Sequence, residues 1–346
     1  MSCQFNRLPL WTLAGVLSSS APVTAWACAT CGCTLSADAA AGYSAIPGLR
    51  FNFEYDYINQ NWLRSGTGAA TAAQVVNSPS NPALGGGEIE KQTINRYLSM
   101  GMSYSPDSEW NVSVLVPYVM RSHTTFGQQQ TPYSSSETAS NQISGASLSD
   151  PGDLKIIGSY QGWLPTHNLG VQLGVKLPTG HYGKAVNFNT GPNAGTPLDA
   201  SLQAGTGSTD LIVGAYYYQA VSQNFDAFVN GQFQSAVRHK LNQPGEDFRP
   251  GNSATMSLGL RYEAHPQWVP QLQLNLLRKS ADQGALADTT DTAGTVAYLS
   301  PGVTLHVMGK LHLYAFAQIP VYARLDGYQL FPHWTVTVGG SYAFSR

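Results

Sequence analysis

Three cysteines within six residues, Cys28-x-x-Cys31-x-Cys33, are the stretch of this 346-residue sequence best equipped for chemistry. Thiolates two and three residues apart can share a soft metal such as Cu(I) or zinc, or form a redox disulfide. A plain structural disulfide with one thiol spare is the competing reading, and lipidation of Cys28 is a third. No second cysteine cluster completes a tetrahedral set; His306 and His312, flanking Met308-Gly-Lys310, are the histidines best placed to help. This chemistry would imply copper or zinc as a cofactor and a periplasmic redox or metal-handling protein as a partner. Catalytic patterns are weaker. Ser122-His123 and Arg238-His239 lack a third partner, and the sequence has neither a Gly-x-Ser-x-Gly elbow nor a His-Glu-x-x-His pair. Gly205-Thr-Gly-Ser208 lacks the Lys-Ser/Thr of a phosphate loop and reads as a turn opening a strand. The sequence therefore predicts no enzyme.

The segments around these residues set their compartment. Arg7, the apolar run Leu8 to Val16 and Ala25-Trp26-Ala27 read as a signal peptide over 1–27, which would also remove Cys3. Residues 28–48 are rich in small residues and too short for a domain. They read as a Cys-rich periplasmic extension or plug, followed by one domain over 49–346.

That domain has an unusual balance. Charged residues make up 11% of the chain, against about 25% in an ordinary soluble domain. No run of roughly 18 apolar residues exists to make a spanning helix. The net charge of −2 and the lack of a basic run exclude a nucleic-acid surface. What the domain does have is alternation. Phe51, Phe53, Tyr55 and Tyr57 interleave with Asn52, Glu54 and Asp56, and Trp334, Val336, Val338, Tyr342 and Phe344 recur through the last strand. Period 2 with aromatics at both ends suits a strand crossing a bilayer.

Between these two strands the spacing predicts ten more, at 90–104, 109–121, 153–163, 168–178, 209–219, 225–237, 253–263, 269–279, 293–307 and 311–321. Short turns alternate with long loops such as 122–149, 179–206 and 322–331. About twelve strands with strictly alternating connections predict an all-β fold, a transmembrane antiparallel up-and-down barrel of the bacterial outer-membrane type. A secreted β-sandwich or solenoid is the soluble competitor, and it would not alternate its connections so regularly. The terminal Gly339-x-x-Tyr342-x-Phe344 resembles the assembly signal of such barrels, here followed by Ser345 and Arg346. Both termini would lie in the periplasm.

Turning the aliphatic face to lipid leaves Arg50, Glu54, Asp56, Arg121, Asp153, Lys155, Lys176, Asp210 and Arg261 to line the lumen. Tyr216, Tyr218, Phe228, Tyr314 and Phe316 fall on the same face. Mixed charges predict a paired interior rather than an ion-selective field. The aromatics read either as filling or as a passage for uncharged compounds.

Three short motifs add a family resemblance. Asp150-Pro-Gly-Asp153-Leu-Lys-Ile, Lys176-Leu-Pro-Thr-Gly180 and Gln203-Ala-Gly-Thr-Gly-Ser-Thr-Asp210-Leu are similar to segments of the outer-membrane barrel family labelled for the MetA pathway of phenol degradation. The resemblance covers roughly 90–346 and leaves out the Cys-rich extension. It implies a channel or transporter for small hydrophobic or aromatic solutes, with outer-membrane lipid and the solute as partners. The competing expectations are a barrel that handles metal or thiols through Cys28, Cys31 and Cys33, and a structural partner of periplasmic redox proteins docked through the extension.

Overall fold

In the computed structural model, the described residues are 47–76, 89–126, 143–183 and 186–344. The cysteine motif and the expected signal peptide lie outside them. Almost all regular structure is strand. The first half of the chain supplies β1 (Gly48–Gly66), β2 (Gly68–Ala69), β3 (Ile89–Ser105), β4 (Trp110–Phe126), β5 (Ile143–Pro151), β6 (Leu154–Tyr160) and β7 (Leu169–Leu177). The second half supplies β8 (Thr209–Ala220), β9 (Phe225–Arg238), β10 (Ser253–Tyr262), β11 (Trp268–Lys279), β12 (Gly294–Met308) and β13 (Leu311–Phe344).

Neighbours in sequence pair antiparallel all the way round, and β13 closes the ring on β1, from Leu49↔Phe344 to Gly66↔Leu325. Strand β13 crosses the wall twice. Its first half pairs with β12 as far as Gly294↔Leu325, and its second half pairs with β1. The chain folds back at Asp326-Gly327, with Gly327 at φ 63°, and Ala343 N–H donates to the Lys310 carbonyl at 2.9 Å. Asp-Gly is the favoured two-residue hairpin turn, because positive φ costs glycine little. The expected loop over 322–331 is thus strand and one tight turn. Its Asp and Gly belong to the turn alone.

Strands β5 and β6 form one crossing broken at Gly152-Asp153. Strand β4 pairs with β5 from Phe126↔Ile143 to Tyr118↔Pro151, then with β6 from Leu115↔Lys155 to Trp110↔Tyr160. Residues 143–151 therefore correct the expected loop over 122–149, as does β4 in running on to Phe126. The middle outward positions of β5 hold Gly145, Ser147 and Ser149 rather than aliphatics, so the outward face left little hydrophobic trace. With β5–β6 counted once, β13 twice and the two-residue β2 set aside, the described residues make twelve crossings of the wall.

One end of the barrel carries only short turns. The other carries the long segments 178–208, 239–252 and 280–293, together with the Asp326-Gly327 turn. Outward residues such as Phe53, Met100, Leu173, Leu272 and Ile319 are exposed, while their inward neighbours are buried. The interior is polar over much of its height. Asn275 donates to Ser300 at 2.9 Å, and Gln271 to Thr304 at 2.8 Å. Toward the long-loop end an apolar cluster takes over, built from Ile58, Leu277, Val296, Tyr298, Leu325, Leu330 and Phe331.

Among the described residues, the strand pairing of the wall is interrupted beside β5. Strand β7 stops at Leu177, so above Gly152 no strand among the described residues pairs with the second edge of β5. It meets the segment 178–208 instead, through a bridge from Gly145 to Thr190 and a hydrogen bond from Asn193 N–H to Ser144 Oγ at 3.0 Å.

Candidate functional site

The break in the β5–β6 crossing is where the three singled-out motifs meet. Lys176 Nζ lies 3.1 Å from Asp153 Oδ2 and 3.1 Å from Asp210 Oδ2, with all three side chains buried. Lys176 also donates to the hydroxyls of Thr206 and Ser208, and Ser208 donates to Asp210 at 2.6 Å. Asp153 accepts from the backbone of Gly180 at 3.0 Å and of Thr206 at 2.9 Å. A buried cation with two carboxylates is tolerable only when its remaining donors and acceptors are filled, as they are here. Lys155 sits next to Lys176 in register, on the same inward face.

Glycines make this node possible. A Cβ on Gly180 would stand 2.9 Å from the Gly205 Cα and 3.0 Å from Gly152, too close for any side chain. Thr179 Oγ1 donates to the Gly152 carbonyl at 3.1 Å and accepts from Leu154 N–H at 2.8 Å. Both ends of segment 178–208 are therefore clamped to the broken crossing.

The clamped segment turns into the barrel. Phe188, Leu198 and Leu202 pack on the inward-facing Val119, Ala146 and Leu148. Arg121 holds it there by donating to the Leu202 carbonyl, Asn95 and Tyr97. Sequence reasoning missed these plug residues. Their one local signal is Asp199, whose carboxylate caps the turn Ala200–Leu202 by accepting from Ser201 N–H at 2.7 Å.

Segments 239–252 and 280–293 knit onto the plug. Phe248 packs with Ala200 and Ala287, and Tyr182 donates to the Glu246 carbonyl. This cap is rich in buried carboxylates, with Asp199, Asp282, Asp288 and Asp291 all inside. Among the described residues, only Lys279 forms an ion pair with one of them, reaching Asp282 at 2.8 Å. Burial pushes Asp199 up to about 8, with the charges of Asp288 and Asp282 adding to it. Burial and the neighbouring Asp288 push Asp291 up to about 7.

The remaining singled-out residues are dispersed on the inward face. Glu54 accepts from Tyr314 at 2.7 Å and Asp56 from Thr337 at 2.5 Å, tying β1 to β13. Arg261 pairs with Glu263 at 2.8 Å, near the short-turn end. Arg50 lies at that same end, opposite Ala343 and Ser103. The aromatics lie against the wall. Tyr216 covers Gly170, Phe228 covers Gly259, Phe316 covers Gly302 and Tyr314 covers Gly339, each where a Cβ would run into the ring. Tyr216 also donates to Gln161 at 2.8 Å, and Tyr218 to the His167 carbonyl at 3.1 Å. His306 and His312 face each other across β12 and β13 with ring centroids 4.5 Å apart. Among the described residues, no group of three or more His, Cys, Asp or Glu is arranged to hold a metal.

Residues 93–330 match the family model described as "Putative MetA-pathway of phenol degradation". Among solved structures, the chain is similar to an outer membrane channel from Pseudomonas putida F1, at 12% identity and TM-score 0.60. That match covers 88% of this chain and 98% of the channel, and it establishes the likeness of fold. The toluene transporter TbuX of Ralstonia pickettii matches at 10% identity and TM-score 0.44, over 87% of this chain and 90% of its own. No curated protein matches the chain.

Proposed function

The chain belongs to the MetA-pathway of phenol degradation family, and from that premise we propose that it is an outer-membrane channel for small hydrophobic, chiefly aromatic, molecules. The inserted segment 178–208 carries the reading. A water-filled porin lines its constriction with polar groups, whereas here Phe188, Leu198 and Leu202 occupy the lumen. The interrupted wall pairing beside β5 supports it further, since the inserted segment, rather than another described strand, meets β5 there. In this reading Arg50, Glu54, Asp56, Arg121, Asp153, Lys155, Lys176, Asp210 and Arg261, with the wall-lying aromatics, form the inward face along the path, where both signs of charge are mixed and Lys176 is paired with Asp153 and Asp210. Work on such a path is passage rather than catalysis.

The short-turn end faces the periplasm in this reading, with the described chain entering at Gly48 and ending at Phe344 on that side. The metal or thiol role of Cys28, Cys31 and Cys33 has no support among the described residues.

Uptake of labelled toluene by cells expressing the chain, compared with a sugar of similar size, tests the function. Faster entry of toluene but not of the sugar is expected. Equal acceleration of both, together with large ion conductance in planar bilayers, would make the chain a general porin instead.

A further inference from the structure

On the outward face, charge is sparse and chiefly basic. The exposed charged residues within the strands are Lys91, Arg238, Arg278 and Arg324, all basic, and Asp326 at the tip of the β13 hairpin. Two of the arginines stand together. Arg278 on β11 and Arg324 on β13 are both register partners of Thr295 on β12. They flank one strand at one level, roughly 10 Å apart by ordinary strand spacing. Among the described residues neither has an ion pair.

The register also fixes what lies beneath them. The next outward row is Leu276, Ala297 and Tyr322, and the row below is Leu274, Leu299 and Ile319. Tyr322 is 48% exposed and Ile319 48%. A basic row at the strand ends, an exposed tyrosine below it and aliphatics below that form the profile of a membrane interface seen from water to hydrocarbon. Two free guanidiniums at that level match an anionic headgroup, and the rows beneath match acyl chains. Arginine suits this role because its planar fork binds phosphate oxygens bidentately.

We infer that the β11–β12–β13 face is a docking site for a phosphorylated lipid of the outer leaflet, with Arg278 and Arg324 gripping its phosphates and Tyr322, Leu299 and Ile319 seating its chains. The inference rests on the outer-membrane placement proposed above but not on the identity of any solute. Cap segment 280–293 joins β11 to β12 directly above the arginines, so a bound lipid would brace the cap from outside.

Native mass spectrometry of the detergent-solubilised full barrel tests this, with diphosphoryl lipid A and phosphatidylcholine as probes. The wild type should retain a lipid A adduct that the double variant Arg278→Gln/Arg324→Gln loses by roughly tenfold or more. Phosphatidylcholine retention should be the same in both. Heat-modifiable migration on gels shows that the variant is folded, and toluene uptake is scored separately. Equal lipid A retention by wild type and folded variant would overturn the site. So would a parallel loss of phosphatidylcholine, which would indicate a damaged surface rather than a lost phosphate grip.

Discussion

Lys176 and Asp153 meet at 3.1 Å inside the wall, with both side chains all but sealed from solvent. The bond joins the start of β7's departure from the wall to the break between β5 and β6, so it fixes where the inserted segment begins. Removing the cation alone strands two buried carboxylates. Lys176→Met should destabilise the folded barrel by about 3–5 kcal/mol, the usual cost of breaking a buried pair on one side. The triple variant with Asp153→Asn and Asp210→Asn should recover most of that loss. Urea unfolding of the refolded protein, followed by tryptophan fluorescence, measures both.

Arg121 should govern the plug rather than the wall. It holds the Leu202 carbonyl through its guanidinium, and hydrogen bonds to a charged group are worth about 1.5–3 kcal/mol. Arg121→Ala should therefore raise hydrogen exchange over residues 198–204 by tenfold or more while leaving β3 and β4 protected. Unchanged exchange there would show that apolar packing alone keeps the segment inside.

The glycine seats of the inward aromatics predict an asymmetry. A Cβ on Gly170 collides with the Tyr216 ring, so Gly170→Ala should cost about 1–3 kcal/mol through overpacking. Tyr216→Ala combined with Gly170→Ala should not add to that cost, because the colliding ring is gone. Additive losses in a double-mutant cycle would mean that the two residues act separately.

The loop cap should loosen as pH rises. Asp199 and Asp291 sit at about 8 and about 7, both raised from the ordinary 3.8. A carboxyl whose folded value is raised keeps a proton that an exposed one would have lost. The cap is thus most stable below about pH 4, and that stability drains away as pH climbs to about 8. Asp199→Asn should flatten the trend, read as loop protection from proteolysis between pH 5 and 9. A cap that tightens with rising pH would reverse the sign and refute the assignment.

How much of this was legible in the sequence depended on what each strand faces. Strands such as β1 and β11 alternate hydrocarbon-facing Phe, Tyr and Leu with polar inward residues, so period 2 gave them away. Strand β5 faces outward chiefly with Gly and Ser, and its outward face carries little hydrophobic signal to find. The two halves of β13 are separated by a two-residue turn whose Gly and Asp resemble a loop until the register is known. The meeting of Asp153, Lys176 and Asp210 could be suspected from their motifs. Their contact could not, because it depends on the break at Gly152-Asp153, which shifts the register between β5 and β6 by one residue. The plug was invisible for a related reason. Phe188, Leu198 and Leu202 are scattered without period through a Gly- and Asn-rich stretch, and only a surrounding wall turns them into a cluster.

The closing seam between Leu49 and Phe344 makes timing part of this architecture. Every other pairing can form between neighbours as soon as both exist, but this one joins strands from the two extremities of the chain. Until the second half of β13 arrives, β1 offers a long unpaired edge rich in Phe and Tyr, a template for joining the wrong molecule. Ring closure is then the step of greatest loop entropy and the slowest to nucleate. The productive route must keep that edge shielded until the last hairpin, Asp326-Gly327, delivers its partner.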